Sequence, residues 1–173
     1  MKSNEKLFAY NAVPCSNFGH RLRDRHNHCI VCHPANIAFS LRNKQIGFIY
    51  IACSSKREIT KVGMTTELIK TRLLKLNSRN VGNTDDWEIL SSIKCANASL
   101  IELSVQKELK KYQVKGDLYG ETESKELFRC SFHKAKEIID NFIIDNKLKI
   151  IEQKSYVQNK EKYKFRNLIN SIK

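Results

Sequence analysis

The chain has 173 residues, 41% of them hydrophobic and 28% charged, with a formal net charge of +13. These proportions fit one folded domain with small appendages and exclude a disordered chain. No run approaches the ~20 apolar residues needed to span a bilayer.

The positive charge is unevenly placed. Residues 1–45 carry a net +5, residues 46–145 a net +2 and residues 146–173 a net +6. A nearly balanced centre between two cationic ends suits a domain whose arms neutralise phosphates. Neither arm is strongly amphipathic, so a membrane-surface role is not expected. The opening MKSNEKLFAY lacks the apolar stretch and small-residue cleavage site of a signal peptide, which points to a cytoplasmic location, or a nuclear one in a eukaryote.

The first unit, residues 1–34, contains Cys15-x4-His20 and Cys29-x2-Cys32, two ligand pairs separated by eight residues. Zn²⁺ takes four such ligands in a tetrahedron, and a Cys-x-x-Cys turn delivers two thiolates at once. Binding free energy would fold a segment too polar to fold by itself. His26, His28 and His33 are alternatives to His20. With all four positions taken by protein the zinc is expected to be structural. Arg21, Arg23 and Arg25, lying between the pairs, are candidates to contact phosphates or a base edge. The segment resembles the small Cys/His knuckles at the N-termini of many phage-encoded nucleases. Cys53, Cys95 and Cys130 fall in apolar surroundings and read as core fillers.

Residues 35–45 read as a linker with a short helix after Pro34. The next unit spans residues 46–146. Gly47 to Cys53 reads as a buried strand, Ser54 to Glu58 as a polar turn, and Ile59 to Met64 as the second arm of a hairpin. Thr66 is placed to cap a helix running to about Asn77. A loop leads to a strand over Trp87 to Cys95. Asn97 or Ser99 then starts a helix to about Tyr112. Glu126 to Cys130 reads as a short strand. Ser131 caps a last helix with Ala135, Ile138, Ile139, Phe142 and Ile143 on one face. The order implies a small α/β (α+β) sandwich with a mostly antiparallel sheet. Residues 147–173 are expected to form a basic helical tail, with Lys160, Lys162, Lys164 and Arg166 as nucleic-acid contacts.

Within the central unit, Gly47-Phe48-Ile49-Tyr50-Ile51, then Lys61-Val62-Gly63-Met64-Thr65, then the segment from Arg72 to Asn77 resemble the core of GIY-YIG nucleases of the phage type. Leu100-Ile101-Glu102 resembles that family's metal-binding helix, and Glu126-Leu127-Phe128 a strand before its final helix. The resemblance implies a DNA endonuclease. Tyr50 would orient or activate the attacking water, Arg72 would stabilise the phosphate's developing charge, and Glu102 would hold one Mg²⁺ or Mn²⁺. Lys61 stands at the second tyrosine position, either binding the scissile phosphate or acting as a base if its pKa is lowered. Phe48 replaces the glycine of the first triplet, and Gln106 stands where that branch often has histidine. The expected partner is duplex DNA, with RNA as an alternative, and the protein would act as a monomer or homodimer. Two competing readings are a catalytically idle zinc-containing DNA- or RNA-binding module and a zinc-stabilised protein that meets an acidic partner.

Overall fold

The structure, a computed structural model, describes residues 8–24, 26–37, 45–115, 125–156 and 160–170. The chain divides into two compact units, residues 1–45 and 46–173. Among the described residues no helix is long and apolar enough to cross a membrane.

In the first unit, strands β1 (Phe8–Ala9) and β2 (Arg23–Asp24) form a two-stranded antiparallel ribbon. Among the described residues its buried hydrophobic side chains are Cys15, Cys29 and Ile30. These three small groups by themselves do not supply a core. Residues 35–37, after Pro34, are helical as expected, and residues 38–44 lie outside the described residues.

The second unit runs β3 (Ile46–Ser54), β4 (Ile59–Thr65), α1 (Ile69–Ser78), β5 (Trp87–Ala96), α2 (Ala98–Leu109), β6 (Leu127–Phe128), α3 (Phe132–Asp145) and β7 (Ile150–Ser155). Five strands form one sheet in the order β6-β4-β3-β5-β7, every pairing antiparallel. The mixed α+β architecture expected from the sequence is present. Both faces of the sheet are covered. Ile49, Ile51, Val62, Met64 and Ile93 pack on one face with Ile101 and Val105 of α2 and Ala135 and Ile139 of α3. Tyr50, Ala52, Ile59, Trp87 and Ile89 pack on the other with Leu76 of α1. The register shifts where Ile51 pairs with Ser91 and Ala52 with Ile89. This bulge resets the alternation of β5, so that Ile89 and Ile93, four residues apart, reach different faces.

Some helix boundaries differ from expectation. Helix α1 starts at Ile69 with no side-chain cap, and Thr65 instead accepts the Glu67 N–H at 3.1 Å. Ser131 does cap α3, accepting the Lys134 N–H at 3.1 Å.

The tail corrects the largest misreading. Residues 150–155, expected to be helical, form the edge strand β7 against β5. Asn146 ends α3 and Lys147 takes a positive φ of 49°, which turns the chain back along the sheet. Charged Glu152 and Lys154 sit in this edge strand, an arrangement that discourages pairing with further chains. Beyond it a 3-10 turn at Lys160–Tyr163 leads to an extended strap, not a helix. Tyr163 is buried and Phe165 packs on the core. The strap is pinned where Leu168 N–H donates to the Arg129 carbonyl (2.9 Å), Asn170 N–H donates to the Lys111 carbonyl (2.7 Å), and Ser131 N–H donates to Asn167 Oδ1 (2.9 Å).

Candidate functional site

Two side-chain clusters carry chemistry, one in each unit. In the first, ligand atoms of Cys15, His20, Cys29 and Cys32 all lie within 4.8 Å of one another. Cys15 Sγ is 3.8 Å from Cys32 Sγ, and His20 Nδ1 is 3.7, 3.8 and 3.4 Å from the sulfurs of Cys15, Cys29 and Cys32. With Zn–S near 2.3 Å and Zn–N near 2.0 Å, a tetrahedron has S···S edges of about 3.8 Å and S···N edges of about 3.6 Å. Four of the six donor separations thus match the edges of a zinc tetrahedron, the other two lie within 4.8 Å, and the set can hold such a metal.

Local hydrogen bonds build this arrangement. Gly19, at a φ of 69°, allows the turn that closes with Cys15 N–H on the His20 carbonyl (2.9 Å). The Phe18 N–H donates to Cys15 Sγ at 3.5 Å and lowers that thiol's pKa to about 6. Burial, with the neighbouring sulfurs, pushes Cys32 up to about 11. A bound cation would deprotonate both.

His20 is the histidine in the cluster; His28 instead places Nδ1 3.1 Å from Asp24 Oδ2. Asp24, buried, also accepts the N–H groups of His26 (2.9 Å) and His28 (2.8 Å) and so shapes the turn before Cys29. The sequence reading missed Asp24, which looked like part of a basic run. Of the expected arginines, Arg21 is exposed. Arg23 is turned inward, its guanidinium donating to the carbonyls of Val13 (3.0 Å) and Asn27 (3.2 Å). Arg25 lies outside the described residues.

The second cluster forms where β3, β4 and α1 meet. Tyr50 and Gly63 are directly paired across β3 and β4. The Tyr50 ring lies over Gly63 so closely that a Cβ there would be 2.6 Å from the phenolic oxygen. Only glycine allows this approach. Arg72 of α1 donates its Nε–H to the Tyr50 hydroxyl at 2.9 Å, with its guanidinium 5.7 Å from the ring centre. Burial pushes Tyr50 up to about 12, against the pull of the Arg72 charge. The phenol therefore stays protonated and, having accepted from Arg72, can still donate.

Lys61 shares the face of Tyr50 and is only 2% exposed. Its ammonium pairs with Glu126, whose side chain is 41% exposed. Burial lowers the Lys61 pKa and Glu126 opposes that shift. Glu126 was read only as part of a strand motif. A lysine destined for a fully buried strand needs a counter-charge, and that was the available signal.

Glu102 approaches from the opposite face. It is buried on α2, and Oε1 accepts the Met64 N–H at 2.7 Å. One turn later Gln106 donates to the Val62 carbonyl at 3.1 Å. The two side chains hydrogen-bond the margin of β4, where two-residue β6 pairs only with Thr60 and Lys61. Tyr50, Lys61 and Arg72 thus share one face, and Glu102 reaches β4 from the other side. Among the described residues, only the Cys/His cluster brings together three or more metal-ligating side chains.

The tail contacts divide similarly. Lys162 pairs with Glu88 (2.6 Å) and Lys164 with Glu161 (2.7 Å), whereas Arg166 is exposed with no carboxylate partner among the described residues. Nothing is described of the Lys160 side chain.

No curated protein and no solved structure shows significant similarity to the chain. A family model for the T5orf172 domain matches residues 47–143, more than half the sequence. This overturns the GIY-YIG assignment expected from the motifs, because the matching family is a distinct one. The shared features are a glycine-led strand, a tyrosine and a hairpin, which small α+β folds of more than one family can carry. The chain belongs to the T5orf172 domain family.

Proposed function

We propose that the chain is a metal-dependent endonuclease that hydrolyses phosphodiester bonds in duplex DNA, with a structural zinc in its N-terminal unit. The observation that carries this reading is the meeting of Tyr50, Arg72, Lys61 and Glu126 beside Gly63. Burying an ammonium and a phenol has a cost that a purely structural hairpin could avoid. The family's relation to some nuclease-like domains supports the same reading.

In this reading Arg72, half-buried at the mouth of the cluster, neutralises charge developing on the phosphate oxygens. Tyr50 donates its remaining proton to orient the phosphate or the water. Lys61, with its pKa lowered by burial, binds the scissile phosphate or takes a proton from the water. Water adds to phosphorus, the ester oxygen departs with a proton, and a phosphomonoester and an alcohol result. Glu102, whose charge is felt at Tyr50 and Lys61 past the margin of β4, is the carboxylate assigned to Mg²⁺ or Mn²⁺, which would polarise the phosphate. A single carboxylate suits Mg²⁺, which usually keeps water and substrate oxygens as its other ligands.

A second reading, an idle DNA- or RNA-binding module, is favoured by the hydrogen bonds of Glu102 and Gln106 to β4. These give both side chains a structural use. Plasmid nicking with and without added Mg²⁺ separates the two, comparing the natural protein with Arg72→Gln. Omitting the ion is preferable to a chelator, which would also strip the Cys/His cluster. Mg²⁺-dependent nicking that falls roughly 10²–10³-fold in the variant supports the enzyme. Binding without scission of duplex, branched or single-stranded DNA would leave only the module.

A further inference from the structure

We infer that Arg57, Arg129 and Arg166 form a second phosphate-binding subsite for the nucleic-acid backbone, away from Tyr50 and Lys61. The three line one open groove of about 550 Å³ together with Glu58 and Leu168. They come from three separate segments: the turn between β3 and β4, the residue after β6, and the C-terminal strap. All three are exposed, and among the described residues none has a carboxylate within ion-pair distance. This contrasts with the neighbouring lysines of the strap, Lys162 and Lys164, which are each paired.

The convergence is imposed by the fold. Arg166 stands between Phe165, packed on the core, and Asn167, whose side-chain oxygen accepts the Ser131 N–H. Two residues on, Leu168 N–H is bound to the carbonyl of Arg129 itself. Like charges gathered around one concavity raise its positive potential and favour a polyanion. Planar guanidiniums suit phosphate oxygens, which they can grip through two donors each.

The groove's distance from the Tyr50–Arg72 cluster selects a polymer over a nucleotide. Arg57 lies about 15–20 Å along the hairpin from Gly63 at ~3.3 Å per residue. At ~3.4 Å of axial rise per nucleotide, that span corresponds to about four to six nucleotides of one strand. The inference rests on the proposed nucleic-acid function, since a backbone engaged at the groove would be aligned along the hairpin toward Arg72.

The test is the salt dependence of full-chain binding to a 30-base-pair duplex of arbitrary sequence, at about 0.1 M salt and above. The natural protein is compared with the triple variant Arg57→Gln/Arg129→Gln/Arg166→Gln and with the corresponding triple arginine-to-lysine variant. The glutamine variant is expected to lose roughly a hundredfold in affinity at 0.1 M salt, with the log–log salt slope falling by about 2.7 at ~0.9 per phosphate. The lysine variant should keep most of that slope, which excludes misfolding as the cause. An unchanged slope in the glutamine variant overturns the subsite, and if that variant still nicks, the catalytic reading stands without it. The expected slope change in a protein that nicks nothing keeps the subsite and removes the catalytic reading. Loss of affinity for polyglutamate but not for the duplex would assign the groove to an acidic protein and overturn the inference.

Discussion

The two units reach a fixed structure by different physics. Residues 46–173 hold a sheet with apolar layers on both faces, and burial alone can stabilise them. Among the described residues of 1–45 the buried apolar groups are two cysteines and one isoleucine, and their geometry centres on four donor atoms. In one unit metal chemistry would serve folding. In the other, polar chemistry is set into a fold that is already stable without it. Ligand spacing is therefore readable in the first unit, while the second hides its chemistry among residues that also pack.

Metal removal should break the comparison most strongly. Structural zinc contributes about 10–16 kcal/mol to folding of such peptides at pH 7. Chelation is expected to expose the three thiols of Cys15, Cys29 and Cys32 to a thiol reagent. Cys53, Cys95 and Cys130, all fully buried, should stay unreactive until denaturant is added. Trp87 is the only tryptophan and lies in the second unit, so its emission should not change on chelation. A shift of Trp87 emission together with the thiols would show that the units do not fold independently.

Gly63→Ala attacks the second unit where its chemistry meets its packing. The added Cβ overlaps the Tyr50 ring, and a loss of about 3 kcal/mol in denaturant unfolding is expected. Tyr50→Phe should recover part of that loss by removing the closest atom.

The buried ion pair is expected to respond asymmetrically. Glu126→Gln leaves the Lys61 charge uncompensated and should cost about 2 kcal/mol, since solvent reaches the Glu126 side and softens the penalty. Lys61→Met removes the buried charge and should change stability by less than about 1 kcal/mol while abolishing nicking. Similar losses in both variants would contradict this assignment.

A smaller loss than that of Glu126→Gln is expected at Asp86, which ties down the turn between β3 and β4. Burial opposes its charge, but the hydroxyls of Ser54, Thr84 and Ser55 and the Lys56 N–H outweigh burial and hold its pKa well below the usual range. A depressed folded-state pKa means that its stabilisation is present above about pH 4 and is lost as the pH falls through the folded value. Asp86→Asn should cost about 1 kcal/mol at pH 7 and flatten the acid limb of the stability curve. An unaltered acid limb would exclude Asp86 from that role.

Much of the second unit was legible from local signals. The apolar runs of β3 and β5, the Ser131 cap and the apolar face of α3 each sit within one short window. Strand β7 was not legible, because its residues are largely exposed and polar and its strand state comes from pairing with β5. Glu126 reaches Lys61 across 65 residues through a two-residue strand, too short to leave a pattern. Glu102 was picked out by a family resemblance that did not hold, and its hydrogen bond to Met64 N–H gives it a structural use that spacing could not reveal. The Cys/His cluster was legible because metal ligation fixes both residue type and spacing.

The most direct test of the proposed activity is the nicking rate of Glu102→Gln in Mg²⁺. Glutamine keeps a carbonyl oxygen to accept the Met64 N–H, so the fold and the melting temperature should be retained, but it loses the charge that would hold a divalent ion. The account predicts a natively folded variant that nicks at least about a hundredfold more slowly than the natural protein. A natively folded Glu102→Gln that nicks at the natural rate would confine Glu102 to its structural hydrogen bond and contradict the assigned metal site.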